Sequence, residues 1–385
     1  MKNSFRTKLM TLLLLGVGVQ TALAQVTFEV TKVPAKTPAQ DTLFLAGNHN
    51  NWNPRNKAHS FKKAANGRYY LTMPSGKEEL EYKITRGSWA TGEAFTNGVA
   101  KNNRIYLAKK PIDTVRLEIE SWSDFHDSPD KVHTASANVK ILSNEFWMPQ
   151  LNRSRRVWIY LPPDYATSGK KYPVLYMHDG QNLFDAFYGF SGEWGIDESM
   201  DKLFQEKGLS AIIVAPDNGG DQRMNEYTPW KNEKYGGGQG EAYVDFLAYT
   251  LKPYIDAHYR TMPEKKYTGV AGSSMGGLIS LYAAIKHPSV FGKAGVFSPA
   301  FWVSPEVYDY VSKNKVPKDL KVVMLAGEKE GKDMVPDMAR MRDLLLQKGL
   351  KKKNLQYEVH ADGEHKESFW QREFPDGFTW LFGKK

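Results

Sequence analysis

The stretch 266–288, KYTGVAGSSMGGLISLYAAIKHP, decides the fold. Its first part, 266–271, reads as a strand, and its last part, 276–286, repeats apolar side chains at helical spacing. Between them Gly272-Ser273-Ser274-Met275-Gly276 fits G-x-S-x-G. Such a pentapeptide arises easily by chance, and a plain Gly/Ser turn is the competing reading. Position gives it meaning: it directly follows a predicted strand and directly precedes a predicted helix, as a nucleophile elbow requires. Glycines flank such a serine because the turn strains its backbone and brings neighbouring chains close.

Outward from this stretch, strands alternate with helices from about residue 138 onward. Candidate strands are 139–142, 155–161, 173–177, 211–215, 266–271, 294–298, 321–326 and 355–360; candidate helices are 196–206, 241–258, 276–286, 335–348 and a last one within 367–381. Alternation of this kind predicts an α/β domain over 138–385, with an eight-stranded, mostly parallel sheet covered by helices on both faces. The Gly-rich stretch 217–240 is too long for a simple connection, which marks it as functional. Ahead of the α/β domain, 25–122 reads as short strands between Gly, Asn and Pro turns, a small all-β sandwich. The polar, aperiodic segment 123–137 reads as the linker.

Residues 1–24 carry Lys2, Arg6 and Lys8, then an apolar run, then Ala22-Leu23-Ala24, the plan of a cleavable secretory leader. The expectation is an exported protein, periplasmic or extracellular, with no membrane span once the leader is removed. Of the net charge of +9, those three cations carry part, and the rest is scattered without a basic patch interleaved with aromatics, so no nucleic-acid partner is expected. The 385 residues include no cysteine, which excludes disulfides, thiolate metal sites and a cysteine nucleophile. No spaced histidine and carboxylate cluster is visible, so no metal and no organic cofactor is expected.

A serine hydroxyl needs a base within hydrogen-bond reach, and the base needs a carboxylate to hold its tautomer. Both are expected after the serine, each just past a strand end. His365 lies in a short loop after strand 355–360; His360, which ends that strand, is its rival. The acid is expected in 325–330, LAGEKE, where Glu330 is preferred to Glu328, with Asp333 beyond it third, although spacing alone does not separate them. The oxyanion needs two donors. Met275 N–H is placed by the elbow, and the second comes from the loop 178–182 after strand 173–177. His178, at a buried strand end, reads as structural.

Together these residues resemble the esterase D and carbohydrate esterase family one group of α/β-hydrolases. The markers are YPVLYMHDGQNLFD (172–185), GSSMGGLISLYAAIKHP (272–288), the Gly327-x-x-Glu330 step and GEHKESFW (363–370). The resemblance implies an α/β-hydrolase fold, Ser274 as nucleophile, His365 as base, Glu330 as acid, and Gln181 as the second oxyanion donor. A glutamate stands where many members carry aspartate. Trp194, Tyr227 and Trp302 fall on loops where these enzymes build acyl or sugar pockets, with core packing as the alternative for each. Residues 25–122 look like a starch-binding or glycogen-branching type of carbohydrate-binding module. In such modules two tryptophans, a lysine and an asparagine meet the sugar, which maps onto Trp52, Trp89, Lys83 and Asn103; the stretch 90–101 is longer than usual.

The expectation is a secreted serine carboxylesterase acting on acylated polysaccharide or oligosaccharide, acetyl or feruloyl, with a glycan as possible partner of the first domain. The alternatives are a siderophore esterase of the enterobactin type, a serine peptidase of the same fold, and a non-catalytic glycan-binding protein.

Overall fold

The computed structural model describes residues 24–50, 52–75, 79–96, 98, 100–101, 103–108, 112–125, 132–189, 192–232 and 236–383. Residues 1–23 of the expected leader and part of the linker lie outside the described residues. Two compact units meet in sequence at Ser128 and Pro129, within the stretch read as the linker.

The first unit carries two main sheets. One has four strands in the order Lys62–Lys63, Tyr69–Pro74, Gln25–Lys32, Ile112–Glu118, the last pair parallel. The other joins Phe44–Gly47, Leu80–Thr85 and Arg104–Tyr106, all antiparallel. Alternation drives the packing: Val26, Phe28 and Val30 point inward from Gln25–Lys32 and share one core with Leu45, Tyr82, Ile84 and Trp122.

The second unit is built on eight strands: β1 (Val139–Met148), β2 (Arg153–Tyr160), β3 (Val174–Met177), β4 (Ile212–Pro216), β5 (Thr268–Ser273), β6 (Lys293–Phe297), β7 (Lys321–Gly327) and β8 (Leu355–His360). Their order is β1-β2-β4-β3-β5-β6-β7-β8. Only β2 runs antiparallel to its neighbours. All eight predicted strands are present, the first extended to ten residues. Described helices are α1 (Ile196–Lys207), α2 (Arg223–Tyr227), α3 (Gly240–Phe246), α4 (Lys252–His258), α5 (Met275–Lys286), α6 (Glu306–Lys313), α7 (Met334–Gln347) and α8 (Glu367–Phe382).

The sheet is apolar on both faces because both are covered. Ile213, Ala215, Leu175, Met177, Val323 and Leu325 face one layer with α1 and α8, while Ile212, Val214, Val174, Tyr176, Val322 and Met324 face the layer of α3 to α7. The run read as one helix over 241–258 is α3 and α4 joined through a π turn, Leu247–Leu251, just ahead of Pro253. The wider turn fits a residue that has no N–H to give. Pro375 lies inside α8, and at its C-terminus the amines of Lys293 and Lys321 accept the charge of the last turn, donating to Leu381 O at 2.8 and 3.0 Å. The second half of the expected linker belongs to this unit: His133 Nδ1 lies 2.8 Å from Asp185 Oδ2, Thr134 N donates to Asp185 Oδ1 at 3.1 Å, and Ser136 N donates to Asp197 at 2.6 Å.

Candidate active site

At the end of β5 the backbone turns sharply into α5, and Ser274 takes φ 57° and ψ −120°. A side chain at Gly272 would bring its Cβ to 2.9 Å from His178 Cδ2, so only glycine lets the loop after β3 lie against the elbow. Met275 is the first residue of α5, and its N–H has no acceptor inside the helix. Gln181 lies in a 3-10 turn, Gly180–Asn182, that opens on Asp179 at φ 59°. His178 N donates to Ala271 O at 3.1 Å, which ties this turn to β5. The two expected oxyanion donors thus stand at the ends of adjacent strands, β3 and β5.

His365 and Glu330 meet as expected of a base and its acid. The Nδ1 of His365 is 2.7 Å from Glu330 Oε2; the carboxylate is fully buried and the imidazole is 40% exposed. Glu328 and Asp333 are exposed. The other oxygen, Oε1, accepts from Gly327 N at 2.6 Å and from Ser298 Oγ at 2.8 Å. Ser298 Oγ in turn accepts from Trp370 Nε1 at 2.8 Å. The acid and base loops approach so closely that a Cβ on Gly327 would stand 2.1 Å from Gly363 O.

The end of β6 joins acid to nucleophile. Ser274 N donates to Phe297 O at 2.9 Å and Ala300 N to Ser274 O at 3.0 Å. Ser298, between these two anchors, is the residue that holds Glu330. Neither Ser298 nor Trp370 was singled out from the sequence; a serine just after a strand end, followed by proline, was the faint signal.

The remaining expected site residues separate. Trp194 is 3% exposed and packs on Phe297 and Trp370, with centroids at 5.1 and 5.5 Å, so it belongs to the core beneath the site. Tyr227 is fully buried, and its hydroxyl accepts the N–H of Asp179 at 3.1 Å, so it too is structural. Trp302 is 47% exposed. His178 is buried, which pushes its imidazole down to about 4, and its Nδ1 is 3.0 Å from Tyr243 Oη. It is a neutral core histidine at neutral pH. Burial alone would raise Asp179, yet the Arg223 guanidinium holds it below the usual carboxylate range. Glu367, at the start of α8, is raised by burial.

His360, the rival base, lies 3.5 Å from Glu358 and from Glu373. Among the described residues these three form the one histidine and carboxylate group compact enough to hold a metal, which the sequence spacing did not show. Arg372 Nε stands 2.6 Å from Glu373 Oε1 and already supplies a cation there.

In the first unit Trp52 and Trp89 face each other with centroids 6.3 Å apart and planes at 42°. Lys83 pairs across the sheet with Ala46, and Asn103 Nδ2 donates to Glu81 Oε2 at 3.2 Å, two residues along the same strand. Burial lowers the Lys83 amine.

The sheet order and the loops gathered at its C-terminal end define an α/β-hydrolase-like fold. The chain belongs to the esterase family whose model, described as "Putative esterase", matches residues 148–381. It is similar to the Uncharacterized protein YbbA of Bacillus subtilis, 28% identical over 247 residues, which is 60% of this chain and 94% of that protein. It is also similar to an Endo-1,4-beta-xylanase/feruloyl esterase of Xylanibacter ruminicola, 27% identical over 190 residues, covering 48% of this chain and 24% of the other. Among solved structures, the enterobactin esterase of Shigella flexneri shares the fold with TM-score 0.53 at 16% identity, over 88% of this chain and 87% of the other. Among the described residues no helix is long and apolar enough to cross a membrane.

Proposed function

We propose that this protein is a secreted serine carboxylesterase that removes acetyl or feruloyl groups from polysaccharide. One observation carries the reading: the segment after β6 both brackets the strained Ser274 and holds the buried Glu330 that orients His365. Ser274 Oγ attacks the ester carbonyl while the Nε2 of His365 takes its proton. Glu330 fixes the proton on Nδ1 and stabilises the imidazolium that forms. The oxyanion is met by the N–H groups of Met275 and Gln181. Collapse of the intermediate expels the alcohol, protonated by His365, and leaves an acyl-enzyme. Water, deprotonated by His365, then releases the acid.

The likeness to a xylanase/feruloyl esterase supports the acyl-polysaccharide choice. In the first unit, the facing Trp52 and Trp89 support a platform for the glycan, with Lys83 and Asn103 as its expected polar partners. Family membership favours ester hydrolysis over the peptidase and the non-catalytic alternatives. A second reading, a siderophore ester of the enterobactin type, uses the same triad and rests on the fold likeness that extends over 88% of the chain.

The test is hydrolysis of p-nitrophenyl acetate, methyl ferulate and enterobactin by purified 25–385 beside Ser274→Ala. Wild-type turnover lost in the variant supports the serine mechanism, and the ranking of the three esters chooses between the readings. Equal rates in both proteins would refute it.

A further inference from the structure

The long segment 217–240 is expected from its length to work as a functional loop, and the structure shows what its first half does. Asn218, Arg223 and Tyr227 all turn toward one residue, Asp179. Arg223 grips the carboxylate with two parallel bonds, Nε to Oδ1 at 2.6 Å and Nη2 to Oδ2 at 2.9 Å. Asn218 Nδ2 donates to Oδ1 at 2.7 Å, and Tyr227 Oη accepts the Asp179 N–H at 3.1 Å. The guanidinium lies 5.1 Å from the Tyr227 ring centroid, so these two partners also hold each other.

Asp179 needs such support. Its φ of 59° lies in the left-handed region, where a non-glycine residue is strained by about 1–3 kcal/mol. The next two residues are Gly180 and Gln181. A Cβ on Gly180 would stand 2.4 Å from Ala215 O, so the turn is wedged against the end of β4. On its other side the Asp179 carboxylate abuts the elbow: a Cβ on Gly276 would lie 3.5 Å from Oδ2. The Gln181 side chain is held by the same segment, its Oε1 accepting from Asn218 N at 3.0 Å. A turn packed between strand end and elbow, and gripped at its first residue, has no slack through which the Gln181 N–H could shift independently of Asp179.

We propose that Arg223 is a positioning residue for ester hydrolysis: through its two-bond grip on Asp179 it sets the Gly180 and Gln181 backbone so that the Gln181 N–H points at the developing oxyanion. The inference rests on the serine-esterase reading of Ser274. On this view the first half of the long segment is a fixed brace under the oxyanion turn. An interaction made to the transition state and not to the ground state acts on kcat and leaves KM nearly alone.

The experiment compares wild type, Arg223→Met, Arg223→Lys and Asn218→Ala with p-nitrophenyl acetate, alongside inhibition by phenylboronic acid, whose serine adduct carries the tetrahedral oxygens. Removal of a whole oxyanion donor costs roughly 100- to 1000-fold in kcat, so displacing one is expected to cost about 10- to 100-fold in Arg223→Met, with KM changed less than about threefold. Boronate affinity should fall in parallel, and added guanidinium chloride at low millimolar concentration should restore part of kcat. Arg223→Lys, which keeps the charge and loses the fork, should fall between wild type and Arg223→Met. If Arg223→Met does not fold, Arg223→Lys and Asn218→Ala carry the test by the same criterion. Normal kcat and boronate affinity with only a lowered melting temperature would overturn the proposal, as would a loss confined to KM. Failure of the underlying reading looks different: Ser274→Ala would then keep wild-type activity, whereas an inert Ser274→Ala beside a fully active Arg223→Met refutes the brace alone.

Discussion

Replacing Glu330 by Gln changes one atom and tests the orientation of the base. The side chain is fully buried, so the amide must satisfy the same neighbours. Oε1 receives two donors, Gly327 N at 2.6 Å and Ser298 Oγ at 2.8 Å. The direction of the serine bond is fixed because Ser298 Oγ is itself the acceptor of Trp370 Nε1, leaving its own proton for Glu330. An amide NH2 cannot sit against two donors, so the carbonyl oxygen takes that side and the NH2 faces His365 Nδ1, where Oε2 stands at 2.7 Å in the wild type. The Nδ1 must then accept, the ring proton moves to Nε2, and the imidazole presents a donor to Ser274 where a base is required. The same tautomer error in a serine-protease triad lowers kcat by about ten-thousandfold, so a loss of about 1000- to 10,000-fold, about 4 to 5.5 kcal/mol of barrier, is expected here. The assay is steady-state hydrolysis of p-nitrophenyl acetate, with thermal unfolding to show that the core is intact. A Glu330→Gln enzyme that folds normally and keeps more than about a tenth of wild-type kcat would refute the reasoning.

Ser298→Ala leaves the buried Trp370 Nε1 without its acceptor and removes one donor from Glu330, so we expect a loss of about 1–3 kcal/mol in urea unfolding together with a reduced kcat. His178 gives a pH dependence. Its folded imidazole is held down to about 4 by burial against 6.5 unfolded, so as pH falls through that window the unfolded chain takes a proton that the folded chain refuses. Stability is therefore constant above about 6.5, declines by about 3 kcal/mol toward pH 4 and levels below it for this group; His178→Gln should flatten the slope in urea titrations across that range. The two tryptophans should part: Trp194→Ala opens a cavity in the core and costs about 3–5 kcal/mol of stability, whereas Trp302→Ala, at a 47% exposed ring, should leave the melting temperature near wild type and raise KM for methyl ferulate more than for p-nitrophenyl acetate.

What the sequence made legible is what local pattern controls. The inner strands are visible because each carries a run of β-formers bounded by turn residues and is buried on both faces, so no polar alternation blurs it; the edge strands β1 and β8 are only partly buried, and β1 extends six residues past its expected end. The elbow is visible because strand, glycines, serine and helix are contiguous. Two helices are not: α2 has five residues, too few for any period, and α6 has eight. The aromatic residues mislead for a physical reason. Trp194 and Tyr227 sit in loop sequence beside polar residues, as a pocket residue would, yet α8 folds over the first and the turn after β3 over the second. Nothing local distinguishes a ring that faces substrate from one that faces Trp370. The choice among Glu328, Glu330 and Asp333 is likewise a matter of which carboxylate comes within 2.7 Å of a ring 35 positions further on.

Backbone conformation draws these pieces together. Among the described residues five that are not glycine have positive φ: Trp52, Asn152, Asp179, Ser274 and Ser298. Three of them lie just past the ends of successive neighbouring strands, β3, β5 and β6, and each is a part of the candidate site: the start of the proposed oxyanion turn, the proposed nucleophile and the support of the proposed acid. Each such residue is strained by about 1–3 kcal/mol, and such strain persists only where neighbours over-determine it. Here they do. Asp179 is held by Arg223, Asn218 and Tyr227; Ser274 by Phe297 O and Ala300 N; Ser298 by its N–H to Leu325 O at 2.7 Å, by Glu330 and by Trp370. The holds are shared, since the β6 end that brackets Ser274 carries Ser298, and the Asp179 carboxylate rests against the elbow. A fold that stabilises three strained residues by letting them brace one another places a hydroxyl, two N–H donors and an oriented imidazole at one end of the sheet before any substrate arrives. This is the pre-organisation that an oxyanion-forming reaction rewards.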